Sequence, residues 1–159
     1  MNADDTLRQH VLELLRRTTE RGFDEAVKDF PPEFMNTRPP NVDYTPWHLL
    51  EHLRIGQSDI LQYIRDPQYK SPHWPNEYWP PKEYEADAAR WNRSIEAFRA
   101  DRAALIDLVA DSKTDLLVPI PHTPGHTVLR EAFLNAGHTA GHLGEFSILR
   151  EVMKTWRST

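Results

Sequence analysis

The sequence predicts an all-α protein, a four-helix bundle of the up-down type that carries a long loop rich in aromatic residues and proline. Three observations predict it. Apolar residues return at steps of three and four along four long segments, which is the period of an amphipathic helix. Most of the thirteen prolines fall in short bursts that cut those segments apart. A length of 159 residues suits one domain with a sizeable core, so residues 1–159 are expected to form a single bundle.

The first helix is expected from Asp4 and Asp5, which can cap it, to about Arg21, with Leu7, Val11, Leu14 and Leu15 on one side. Gly22 is expected to break it, and Phe23 to Phe30 could add a short helical turn before Pro31 and Pro32. Thr45 and Pro46 form an N-cap and first-turn pair for the second helix, which should run to Arg65 and stop before Pro67. Its apolar face holds Leu49, His52, Leu53, Gly56, Ile60, Tyr63 and Ile64, with His48 at the edge. Residues 66 to 82 read as the long loop, either an irregular cover or a wall over a pocket.

The third helix is expected from near Lys82 to about Asp111, on a four-three stripe through Tyr84, Ala88, Trp91, Ile95, Phe98, Arg102, Leu105 and Val109. Arg102 interrupts that stripe. Its stem should lie on the core edge with the guanidinium in water, the alternative being a hold on a substrate carboxylate. Ser112 to Gly125 form a connection in which His122 and His126 read as surface residues. The last helix should run from about Thr127 to about Thr155, with apolar residues on more than one side. Gly137, Gly141 and Gly144 make a separate line along it. Each interior glycine costs about 1 kcal/mol relative to alanine, so the line suggests close approach of a partner helix, within the chain or from a second subunit.

Composition removes several classes of function. The net charge is −5 without a basic cluster, which argues against a nucleic-acid partner. There is no cysteine, so disulfides, thiolate metal sites and cysteine nucleophiles drop out together. No apolar run approaches the roughly 20 residues of a membrane span, and the polar start Met1-Asn2-Ala3-Asp4-Asp5 lacks the order of a secretory signal. A soluble, cytoplasmic protein is expected.

The chemistry concentrates in Gly137-His138-Thr139-Ala140-Gly141-His142-Leu143-Gly144-Glu145. Residues four apart share a helix face, with Cβ atoms about 6 Å apart, and imidazoles reach a metal at about 2.0–2.1 Å. His138 and His142 can therefore grip one ion between them. A third histidine, His52, lies on the apolar face of another helix, where it needs a partner: a metal, a carboxylate or a carbonyl. Thr139 stands where a zincin would have its catalytic glutamate, so this is not that class. Glu145, one turn beyond His142, is the candidate catalytic base or orienting carboxylate, or else a helix-surface residue. Glu51 projects about 100° away from His52 and is expected in solvent.

The blocks Pro46-Trp47-His48-Leu49-Leu50-Glu51-His52-Leu53-Arg54-Ile55, Asp59-Ile60-Leu61, Trp79-Pro80, Leu129-Arg130-Glu131-Ala132 and Gly137 to Gly144, in this order, resemble the DinB-like superfamily over about Phe23 to Arg150. The resemblance implies a four-helix bundle with a divalent metal, zinc or nickel and in some cases iron, held by His52, His138 and His142. It also implies a small-molecule substrate, with a thiol cosubstrate of low molecular weight in some relatives. Two departures adjoin the site: Gly141 where relatives often carry an aromatic residue, and Glu145 where they often carry glutamine. Three readings stay open at this point. They are a metal-dependent hydrolase or thiol transferase, a non-catalytic metal or small-ligand binding bundle that could be a homodimer, and a metal-free bundle.

Overall fold

A computed structural model describes residues 3–156; residues 1, 2 and 157–159, which the expected domain included, lie outside it. Among the described residues there are helices and turns but no strand. Helix α1 spans Ala3–Thr18 and α2 is a single turn, Asp24–Val27. The long helices α3, α4 and α5 span Pro46–Arg65, Ala88–Ala110 and Val128–Val152. Among the described residues no helix is long and apolar enough to cross a membrane.

Several boundaries differ from expectation for local reasons. Asp4 and Asp5 do not cap α1 but lie inside its first turn, where carboxylates favour the positive end of the helix dipole. Gly22 does not break the helix. The chain continues through a π turn, Thr19–Phe23, into α2, and a Cβ on Gly22 would stand 2.7 Å from Leu143 Cδ1. Its smallness lets α5 come close. Helix α4 starts at Ala88 rather than Lys82, because the Asp87 side chain accepts the Arg90 N–H at 2.7 Å as the N-cap. Tyr84 therefore leaves the helical stripe and packs its ring against Trp47. Helix α5 opens on Thr127, whose side chain accepts from the Arg130 N–H, and it stops at Val152, short of Thr155.

Neighbouring contacts set the directions of the helices. Arg8 donates to the Val109 carbonyl and Arg99 pairs with Asp24, so α1 and α4 are antiparallel. Tyr63 meets His126 while His52 meets His142, so α3 and α5 are antiparallel as well. Trp47 and Glu51 share a surface hollow with Arg90 and Arg93, and Arg65 reaches the Ala104 carbonyl. Helices α3 and α4 therefore run parallel. The bundle goes up, down, down, up. A parallel step obliges the chain to travel back along the length of α3, about 30 Å for its 20 residues. Residues 66–87 make that return, which is the physical reason for the long loop.

Two apolar clusters fill the interior. One gathers Phe23, Trp91, Phe98 and Phe146, with Phe23 stacked on Phe98 at 3.9 Å. The other gathers Val11, Leu15, Leu61, Leu105 and Leu116. A polar layer separates them. Arg102 is 1% exposed and is wholly interior, against the expectation that its head reaches water. It donates to Gln57 Oε1 and Thr139 Oγ1 at 2.8 Å and to Thr18 Oγ1 at 3.1 Å. Burial pulls its pKa down to about 10, which still leaves a buried cation at neutral pH. Glu51 is also buried, in a bidentate pair with Arg54, and not solvated as expected. The line of Gly137, Gly141 and Gly144 faces outward, with nothing within 4 Å of an added Cβ. No helix of this chain uses it.

Arg150 ties off two helix ends. Its guanidinium donates to the Ala26 carbonyl in α2, the Lys28 carbonyl just after it and the Thr155 carbonyl beyond α5, each at 2.8 Å. A planar fork serves three carbonyls at once and a lysine cannot. Arg150→Lys is expected to lose about 1.5–3 kcal/mol of stability in urea denaturation, despite keeping the charge.

Candidate metal centre

Three rings converge where α3 and α5 cross. His52 Nε2 lies 3.0 Å from His142 Nε2 and 3.0 Å from His138 Nε2, and the three ligand nitrogens all fall within 4.8 Å of one another. Two metal-bound nitrogens at about 2.05 Å from one ion stand about 2.9 Å apart at a right angle and about 3.3 Å apart in a tetrahedron. The two 3.0 Å separations from His52 suit nitrogens that share a divalent ion, and His138 and His142 would close on that ion from either side.

Two of the rings are held by partners on their far side. His52 Nδ1 lies 2.8 Å from the Tyr78 carbonyl, which can only accept, so Nδ1 carries the proton and Nε2 a lone pair. His142 Nδ1 lies 2.9 Å from Glu145 Oε2, and donation to that carboxylate again leaves the lone pair on Nε2. Two lone pairs thus oppose each other at 3.0 Å with no proton to share. A cation between them relieves that opposition. Burial lowers the pKa of His52 and brings that of His138 to about 4, which disfavours a proton on either of those rings. The donor set, with its tautomers so held, fits a divalent metal.

The return loop, expected from the sequence as an irregular cover or a wall over a pocket, supplies much of this support, through contacts that the sequence does not show. Tyr78 contributes the carbonyl to His52 and anchors itself by donating its hydroxyl to Asp59 Oδ2 at 2.6 Å. Trp79 stacks flat on the His52 ring, with centroids 4.0 Å apart and planes at 4°. Tyr44 donates to Glu145 Oε2 at 3.2 Å, and its phenol is raised to about 12 by burial and then by the Glu145 charge. No spacing rule links these positions to the histidines. The loop's aromatic density was the one available signal.

Three further histidines have other partners. His48 belongs to the start of α3: Thr45 Oγ1 accepts the His48 N–H while His48 Nδ1 accepts the Thr45 N–H, a reciprocal cap. His122 Nε2 donates to the Tyr63 carbonyl, and His126 meets the Tyr63 hydroxyl and Glu131. His138 meets His52 through Nε2, and the rest of its ring is positioned by space. A Cβ on Gly56 would sit 2.8 Å from its Cε1, so only glycine lets the ring lie against α3.

The family model described as the DinB superfamily matches residues 14–146, and the chain belongs to that superfamily. No curated protein and no solved structure matches the chain.

Gly56→Ala separates helix stability from the centre. Alanine favours the helix by about 1 kcal/mol, while its methyl group must push the His138 ring aside. Affinity for a divalent ion is expected to fall about 10–100-fold in chelator competition, without a matching fall in melting temperature.

Proposed function

Taking membership of the DinB superfamily as the premise, we propose that this chain binds one divalent metal ion through Nε2 of His52, His138 and His142, and that the centre is catalytic. The reaction class is hydrolysis, or transfer of a low-molecular-weight thiol to a small electrophilic substrate. The observation that carries this reading is the opposition of two lone pairs at 3.0 Å, each held in place by a proton committed to the far side of its ring.

When bound, a zinc, nickel or iron ion supplies Lewis acidity at positions that three protein ligands leave open, and lowers the pKa of a water or thiol there. The chain's own residues prepare the place. The Tyr78 carbonyl and the Glu145 carboxylate keep protons on Nδ1 of His52 and His142. Trp79 covers one face of His52 and excludes water from it. Glu145 acts here as a positioning residue for His142, and the Tyr44 hydroxyl steadies it. His138 borders a mainly apolar pocket between α3, α5 and the return loop, which gives a small molecule access to the open side.

A homodimer is proposed on separate ground. The exposed glycine line on α5 is flanked by exposed Phe133 and Ile148, and an antiparallel second copy would present the same furrow and ridges. Ile148→Glu is expected to convert a dimer to monomer in light scattering; wild-type protein of monomer mass would end that idea.

Elemental analysis of untagged protein is expected to give about one divalent ion per chain. His52→Ala, His138→Ala and His142→Ala should each lose it, and Glu145→Gln should weaken it about 10–100-fold. Unchanged stoichiometry in His138→Ala would refute the ligand set. Turnover of an electrophile with a thiol, abolished by chelator, supports catalysis; full metal loading without turnover of any ester, amide or thiol–electrophile pair assigns the centre to metal binding alone.

A further inference from the structure

Next to His138 the return loop, α3 and α5 enclose a pocket of about 280 Å³. Its walls include Ile60 from α3, Leu134 from α5 and Trp74 from the loop. Trp74 is 72% exposed and Leu134 49%, so two large apolar side chains stand at the mouth with nothing over them. Such surface in a concave place marks a binding site for an apolar group.

One wall residue does not belong in an apolar pocket. Asp59 is only 9% exposed, and among the described residues phenols meet it and no cation pairs with it. Oδ2 accepts from the Tyr78 hydroxyl, while Oδ1 is buried and accepts no hydrogen bond. The Tyr69 phenol, raised to about 12 by burial, then by the Asp59 charge and by a hydrogen bond to that carboxylate, feels the same charge. A buried carboxylate with one oxygen unpartnered is costly unless something completes it. Holding two phenols accounts for the hydrogen bonds and leaves the negative charge without a cation among the described residues.

We propose that this pocket is a substrate subsite for a small amine, in which an aryl or alkyl body lies between Ile60, Trp74 and Leu134 and the ammonium group pairs with Asp59. The subsite deepens the reading of the histidine centre, since His138 lines the same pocket and would face the bound molecule. Asp59 is then a specificity residue. It prefers a cationic nitrogen over a hydroxyl and excludes a carboxylate.

The test is calorimetric titration of the full chain with 2-phenylethylamine, 2-phenylethanol and 3-phenylpropanoate, before and after treatment with chelator. The amine is expected to bind at least about tenfold tighter than the alcohol, one charge-assisted hydrogen bond being worth about 1.5–3 kcal/mol, and the carboxylate not at all. That order should survive the chelator. Amine binding that vanishes with the chelator is coordination to a metal and overturns the subsite, as does equal affinity for amine and alcohol. Asp59→Asn should level the two affinities. Because that change could loosen Tyr78, Leu134→Arg at the exposed mouth provides the second variant: it should abolish amine binding with the circular dichroism spectrum unchanged, and unchanged binding overturns the proposal. Persistent amine preference in a protein that holds no metal would sink the catalytic reading and leave the subsite standing.

Discussion

The parallel run of α3 and α4 is the constraint from which the rest of the molecule follows. Two parallel neighbours in a bundle cannot be joined by a tight turn, so residues 66–87 must retrace the height of α3. Their path passes over the seam between α3 and α5, where the histidines lie. A connection imposed by topology thereby becomes the outer wall of the centre. It contributes the carbonyl on His52, the indole stacked against that ring and one side of the adjoining pocket.

The seam itself depends on small residues at two crossing points. Gly56 admits the His138 ring against α3, and Gly22 admits Leu143 against the π turn that prolongs α1. The interior behind the seam is unusual for a small bundle. Arg102 sits between two apolar clusters, where Gln57, Thr18, Thr139 and, at 3.4 Å, the Leu15 carbonyl accept its hydrogen bonds and the Phe98 ring lies beneath it. A buried cation without a carboxylate is tolerated when hydrogen bonds from several directions replace its water. Thr139 lies next to His138 in sequence, so the polar layer fixes the register of α5 just where it must present its ligands.

Much of this was legible in the sequence. The Thr45-Pro46 start of α3, its end at Arg65 and the stripe of α4 from Trp91 to Val109 follow from capping chemistry and helical period, whereas Phe133 and Leu134 of α5, read as apolar-face residues, are exposed. The three histidines stood out because two share a helix face and the third interrupts an apolar one. What could not be read depends on contacts distant along the chain. The start of α4 moved to Ala88 because Asp87 caps more effectively than the preceding prolines initiate. The depth of Arg102 depends on Gln57 and Thr139, which no periodicity connects to it. Glu145 was visible as a neighbour of His142, but its hydrogen bond to that ring and its partner Tyr44 required the packed bundle. Tyr78 was the hardest case, since its contribution to His52 comes from the main chain and carries no side-chain signature.

That main-chain acceptor has a thermodynamic corollary. Because the group orienting His52 is a peptide carbonyl, exchanging the side chain at position 78 leaves it chemically intact; only displacement of the strap that carries it can remove it. Seating of residues 66–87 and occupancy of the histidine centre are therefore linked equilibria. By reciprocity, whatever factor an ion adds to the strap's preference for its docked position is the factor by which docking tightens the ion. Protease susceptibility of this outer segment would then register, from the surface, how fully the interior site is loaded.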